Sequence, residues 1–400
     1  MRSGPPSGRA QASGPPSLGV PTAAEQLLVA LLRPDGGAPA APLRREWDRF
    51  AALAAREQVS SLVLAATIER YGAVVPEEVR RALAAADARS RAHAAAAYVQ
   101  LAALLRRFRR AGVAAALLKG AALSRFVYAG GGRGFHDLDL LVPLSDRGAA
   151  ERVLIQAGYT TDRAATVDDV GERVYWDASW RRVPVDVHWR LDAGPVSLGL
   201  NCDGMLRRAL SGTVEGEPVL LLGPADMLVA LAAHFVKHVW GCRPRLRYLR
   251  DMAEVTRCCS VDWGQVVEAA VTAPRARSAL RTTLGTAAEL LGAAVAPAAL
   301  DRLAPLRGPA VNRHLGALIR RRLLRGDTAS AALLQVALMR WLDKDTVRVY
   351  PGLVASLLEV RTRRLAAGVL GVRGRRALRR LRLRSRRSGA ATAGAAAGSD

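Results

Sequence analysis

The chain has 400 residues, half of them hydrophobic, and a formal net charge of +24. That length supplies ample core for two or three domains, and the scarcity of aromatics beside abundant Ala, Leu and Arg favours helices. No apolar run reaches the ~18–20 residues needed to cross a bilayer, and the Gly/Pro/Ser-rich N-terminus lacks a signal-type apolar region.

Half of the excess charge lies between Arg361 and Arg387, where twelve arginines occur without an acid. The rest is still basic, so nucleotides, nucleic acid and acidic lipid are all admissible partners. Cys202, Cys242, Cys258 and Cys259 form no C-x-x-C pair. They read as reduced cysteines of a cytoplasmic protein.

In chain order, residues 1–22 read as disordered. Residues 23–110 read as a helical segment with a break near Arg33–Pro42, strongest over Ser90–Arg110. Residues 111–222 read as a small α/β unit. In it, Val113–Leu118 is a short buried strand, Lys119-Gly120 a turn, and Ala121–Tyr128 a helix. A glycine loop, Gly130–Gly132, precedes a second strand, Asp137–Val142. Pro143 stops that strand, Ser145 is placed to cap a helix over Asp146–Ala157, and Gly158 ends it. Further strands are expected at Tyr159–Thr161, Arg173–Ala178 and Val183–Trp189, where Pro184 suggests an edge position or a strand start. A β-pair turning at Gly216 spans Gly212–Leu222. Residues 223–370 read as a helical domain punctuated near Gly241–Pro244, Ala273–Pro274 and Pro297. Residues 371–400 read as a basic, disordered tail able to contact an anionic partner. The expected fold class is α+β: a small mixed sheet between a helical N-terminal segment and a larger helical C-terminal region.

Two acids, Asp137 and Asp139, interrupt an otherwise apolar strand. Alternation along a strand points them to one face while Leu138, Leu140 and Val142 take the other. Adjacent carboxylates repel, and burying them is costly unless a cation neutralises them. Asp186, on the alternating Val183–Trp189 segment, supplies a third acid. Carboxylates from two neighbouring strands can hold two divalent ions for phosphoryl or nucleotidyl transfer. Upstream, the Lys119-Gly120 turn opens a helix whose free N–H groups attract phosphate, and Lys119 adds charge. Arg133 is placed either to brace a triphosphate or as a solvated charge. His136 shapes the loop. His188, two residues after Asp186, lies near the ions if its role is not purely structural.

Three stretches carry a resemblance: Leu118-Lys119-Gly120-Ala121-Ala122, Arg133-x-x-x-Asp137-Leu-Asp139-Leu-Leu-Val142, and Asp186-Val-His188-Trp189, followed by His234-x-x-x-His238 and Leu246–Asp251. Together they resemble the bacterial family of uncharacterised nucleotidyltransferases, within the polymerase β-type superfamily, over roughly residues 25–300. The resemblance implies a nucleotidyltransferase core at 111–222. It also implies metal-dependent transfer of a nucleoside monophosphate from an NTP such as ATP to a small-molecule or peptide acceptor. Asp137, Asp139 and Asp186 would be the catalytic, metal-binding acids for two Mg²⁺ ions, with Mn²⁺ admissible. Lys119, Gly120, Arg133 and His188 would bind the nucleotide. The Lys-Gly turn departs from the Gly-Gly or Gly-Ser turn of the wider superfamily.

On Asp226–Trp240, His234 and His238 share a helix face. The spacing suits zinc, but Phe235 stands where the H-E-x-x-H pattern requires Glu. His234, Lys237 and His238 are instead expected to line a substrate cleft. Arg247 and Asp251 form an i,i+4 pair, either a plain ion pair or part of the site. A D-x-D glycosyltransferase using a nucleotide sugar, and a non-catalytic nucleotide-binding module docked on an anionic partner, are the alternatives. Asp139→Asn is expected to abolish transfer and to leave metal-free melting unchanged or raised, by removing like-charge repulsion.

Overall fold

The computed structural model describes residues 21–304, except 35, 38, 129–131, 162–170, 178, 180, 193–196 and 241–243, together with 319–320 and 323. The expectations for residues 1–20, for Gly130 and Gly131, for the 241–243 break, and for the helices and basic tail beyond 323 fall outside the described residues.

Helix α1 (Ala23–Leu32) starts where Thr22 accepts from the Glu25 amide while the Glu25 carboxylate accepts from the Thr22 amide, a reciprocal capping box. Helices α2 (Arg44–Arg56), α3 (Ser60–Tyr71) and α4 (Glu77–Arg110) follow. In α4 the expected segment is only the C-terminal part of a longer helix. Its buried residues Leu101, Leu104, Leu105 and Phe108 recur at three- and four-residue spacing and form one apolar face.

The sheet contains β1 (Ala116–Leu117), β2 (Leu138–Leu141), β3 (Tyr159–Thr160), β4 (Glu172–Asp177), β5 (Val185–His188), β6 (Leu210–Val214) and β7 (Glu217–Leu221). Their spatial order is β3-β4-β5-β2-β1-β7-β6, with β2/β5 and β1/β7 parallel and the other pairs antiparallel. Only Ala116 and Leu117 of the expected 113–118 strand are paired. Helix α5 (Lys119–Phe126) begins two residues earlier than the sequence suggested. Pro184 directly precedes β5, so its missing N–H costs no ladder bond, and β5 itself lies between β4 and β2 rather than at an edge. The β6–β7 turn places both Glu215 and Gly216 at positive φ (48° and 79°), which suits a tight hairpin.

Ser145 does not cap. Pro143 leads into a 3₁₀ turn over Leu144–Asp146, α6 (Arg147–Gln156) starts after it, and the Ser145 hydroxyl donates to Asp146. Gly158, at φ +85°, reverses the chain behind the helix.

Helix α7 (Cys202–Arg207) precedes the hairpin. Helices α8 (Pro224–Trp240), α9 (Leu246–Cys258), α10 (Trp263–Thr272), α11 (Pro274–Leu291) and α12 (Pro297–Arg302) complete the described chain. Pro274 and Pro297 stand at first-turn positions of α11 and α12, where a missing N–H is harmless. The expected boundaries near 110 and 222 fall between elements, yet one continuous apolar core runs from Ala24 through the sheet to Leu323. The protein is therefore a mixed α+β fold with helices on both sides of the sheet sequence.

Candidate active site

The parallel register of β2 and β5 sets Asp139 directly beside Asp186 and Leu141 beside His188. Aligned residues on paired strands point to the same face, so Asp139, Asp186 and His188 converge. One ligating atom from each lies within 4.8 Å of the others, the arrangement among the described residues that could hold a metal ion. Asp137 precedes β2 and is not part of that tight group. Burial, followed by the charge of Asp139, raises its carboxyl above the ordinary range, so the carboxylates share one field.

Asp139 is buried and heavily engaged. Its Oδ1 accepts from Lys119 Nζ at 2.6 Å and lies 2.9 Å from His188 Nε2. Burial alone would raise its pKa, but the Lys119 charge and the His188 bond outweigh that and hold it well below the usual carboxylate range. Lys119 is itself buried and sits at φ +49°, a left-handed conformation that costs a non-glycine residue about 1–2 kcal/mol. Burial opposes its charge, but Asp139 and then Glu172 more than compensate, so the ammonium stays protonated.

Sequence reasoning missed Glu172. It stands opposite His188 in the antiparallel β4/β5 pair, and its Oε2 lies 3.1 Å from His188 Nδ1. Its other oxygen is ion-paired with Lys237 of α8. Burial and Lys119 depress the His188 pKa. The bonds to Asp139 and Glu172 raise it further than they lower it, so the imidazole stays charged above its ordinary range. The expected 173–178 strand stopped one residue short of Glu172, and only the register with β5 would have revealed it.

Asp186 has the opposite balance. Burial, then the charges of Asp139 and Asp137, push its carboxyl up to about 7. The repulsion anticipated for Asp139 is therefore borne by Asp186. The stability expectation for Asp139→Asn is corrected accordingly, because Asp139 has a lysine and a histidine as counter-charges.

Arg133, expected either to brace a triphosphate or to be a solvated charge, is turned inward onto Asp251. Its guanidinium donates to both oxygens of Asp251, Nε to Oδ1 at 2.7 Å and an Nη to Oδ2 at 2.6 Å, and both side chains are almost fully buried. Tyr128 donates to the same Asp251 at 3.0 Å. The expected Arg247–Asp251 pair is thus replaced by Arg133–Asp251: two sequence motifs 118 residues apart are the halves of one buried, two-pronged ion pair. Gly120 has a packing reason as well. A Cβ there would stand 2.7 Å from the Phe135 Cβ and 3.2 Å from an Arg133 nitrogen.

The α8 and α9 histidine–tyrosine cluster borders the acids through Lys237. The His234 and His238 rings lie 4.4 Å apart, and His238 stacks on Tyr248 at 4.6 Å with its Nε2 3.1 Å from the tyrosine hydroxyl. Burial, with Lys119 adding to it, lowers His238 to about 3 and His234 well below its ordinary value, so both rings stay neutral. Tyr248, inside the Leu246–Asp251 stretch but given no role there, completes this wall.

The sequence matches, over residues 44–292, the model of a family described as uncharacterised nucleotidyltransferase, a span of more than half the chain. No curated protein matches the chain. Similar solved structures include that of the antibiotic-resistance factor ANT(2'')-Ia, 14% identical with a TM-score of 0.31, the similarity covering 45% of this chain and 92% of that one. Another is an antigenic nucleotidyltransferase-like protein from Paracoccidioides brasiliensis, 12% identical with a TM-score of 0.31, covering 46% of this chain and 92% of that one.

Proposed function

This chain belongs to the family of uncharacterised nucleotidyltransferases, and from that premise we propose that it transfers a nucleoside monophosphate from an NTP to a small-molecule or peptide acceptor. The observation that carries the reading is the β2/β5 register, which sets Asp139 beside Asp186 inside the matched region. We place a divalent ion, Mg²⁺ or Mn²⁺, at Asp139 and Asp186, with Asp137 adjoining. The donor set fits: hard carboxylate oxygens suit Mg²⁺ and Mn²⁺, and His188, with its two ring nitrogens on Asp139 and Glu172, steadies the carboxylates rather than ligating the ion. When bound, the ion offsets charge on the phosphate oxygens and on the leaving group.

The chain's own residues then act as follows. Lys119 and His188 fix Asp139 by bonding one of its oxygens, and Glu172 fixes the His188 ring from the other side. Asp186 accepts the proton of the acceptor hydroxyl or amine as that atom attacks the α-phosphorus. The bond from the α-phosphorus to the bridging oxygen breaks, and pyrophosphate leaves. His234, Lys237 and His238 line the cleft for the acceptor, and Lys237 is the member tied to the acids. The 111–222 core with a helical flank, and a cytoplasmic setting where NTPs are available, belong to the same proposal.

The test is transfer of label from each α-labelled NTP with Mg²⁺ to a panel of acceptors. The wild-type chain should label a product and release pyrophosphate, and Asp139→Asn should not. Equal labelling by that variant would remove the site assignment.

A further inference from the structure

Arg247 opens α9 beside the acids, and its surroundings differ from those of every other arginine near it. Arg133 is consumed by Asp251. Arg250 and Arg257 share Glu254. Arg247 has no carboxylate partner among the described residues. One terminal nitrogen makes a long 3.4 Å contact with the Gly134 carbonyl, and its guanidinium carbon lies 5.3 Å from the centre of the Tyr248 ring. Its Nε is buried without any hydrogen-bond partner. Burial first, then the nearby positive charge of Arg133, disfavour its protonated form.

A cation kept in such a place weakens the fold. Withdrawing part of a guanidinium from water is costly, and the buried Arg133 alongside adds to the cost, which Tyr248 and Asp251 offset only in part. No carboxylate among the described residues pairs with it, so its open donors suit an anion bound from outside. The position says which one. Its contacts put it at the rim of the acidic site: Gly134 lies three residues before Asp137, and Tyr248, under the guanidinium, is 3.1 Å from His238 Nε2. A planar fork of N–H donors matches phosphate oxygens in pairs.

We propose that Arg247 is the anion-binding residue of this site, receiving the β- and γ-phosphates of the donor nucleotide and the pyrophosphate that leaves. The inference rests on the nucleotidyl-transfer reading and gives the phosphate-gripping part to a residue that neither the strand motifs nor the helix spacing had assigned to it. It also explains why Asp251, four residues on, is unavailable to Arg247: Arg133 holds both of its oxygens.

The experiment uses the full chain, inorganic pyrophosphate as the probe, and physiological salt, with calorimetry for affinity and thermal unfolding for stability. The wild-type chain should bind pyrophosphate and melt higher with it. Arg247→Met should bind at least tenfold more weakly, yet melt at the same temperature or higher without ligand, because a half-buried charge beside Arg133 has gone. Arg247→Lys, which keeps the charge but loses the fork, should fall between them. Comparing variants of the same full chain subtracts pyrophosphate held by the arginine-rich tail. The proposal is overturned if the wild-type chain does not bind pyrophosphate, if Arg247→Met binds it as tightly as wild type, or if Arg247→Met melts lower without ligand, which would make Arg247 a structural residue. Label transfer with an unaltered pyrophosphate affinity in Arg247→Met would overturn this assignment alone. Arg247-dependent binding in a chain that transfers no label would keep the assignment and remove the reaction.

Discussion

Replacing Asp186 by Asn should abolish transfer and, without metal, make the chain more stable. Asp186 is half-buried, and burial together with Asp139 and Asp137 lifts its carboxyl from 3.8 to about 7. In the unfolded chain the group ionises above 3.8, whereas in the folded chain it keeps its proton to about 7. The unfolded state therefore binds fewer protons across that interval. Stability from this group is fully present below the lower value, falls as pH rises, and levels off above the higher one. Roughly three pH units at ~1.4 kcal/mol each give a ceiling of about 4 kcal/mol. Hydration of a half-buried carboxylate reduces this to about 2 kcal/mol. Asn has the shape of the protonated acid and cannot ionise. Asp186→Asn should therefore melt roughly 4–8 °C above wild type at pH 8 in a chelator and level with it at pH 4. Added Mn²⁺ should reverse the order, because only the wild-type chain then gains binding energy. Thermal unfolding at the two pH values reads all of this. A variant that melts at or below wild type at pH 8 without metal would show that Asp186 is not held against like charge.

Three other perturbations have defined signs. Asp139→Asn removes the counter-charge of buried Lys119 and His188 and should cost about 3 kcal/mol in urea unfolding, the opposite direction from Asp186→Asn. Asp251→Ala strands Arg133 in the interior and deprives the Tyr128 hydroxyl of its acceptor. It should cost about 3–5 kcal/mol, much of it recovered in the double variant Arg133→Met/Asp251→Ala, as measured by a double-mutant cycle. Gly120→Ala drives a methyl to 2.7 Å from the Phe135 Cβ. The denaturation midpoint should fall by the equivalent of about 1–3 kcal/mol, with secondary structure by circular dichroism retained.

Much of the site was legible because it is local. The D-x-H spacing on β5 follows from the two-residue period of β structure, which sends Asp186 and His188 to one face, whereas Asp137 lies in the bend before β2 and only Asp139 of the D-x-D pair is on the strand. What could not be read was which oppositely charged groups meet. Arg133 and Asp251 are 118 residues apart, Lys119 and Asp139 are 20 apart, and Glu172 faces His188 only through an antiparallel register. Pairing at such distances depends on strand order, and the chain carries more arginines than acids, so no spacing rule says which arginine is left without a partner.

By itself, then, the sequence determined the alternation that places Asp139, Asp186 and His188 on strand faces, the helical flanks and the membership that residues 44–292 express. Tertiary structure alone decided the charge states: Asp139 is neutralised by Lys119 and Asp186 is not, Arg133 is consumed by Asp251, and the Arg247 Nε is left without a partner among the described residues. The physical reason is that a side chain's direction is set by its own neighbours along the chain. The free energy of its charge is set by whatever the fold brings within a few ångströms of it and by how much water is removed there.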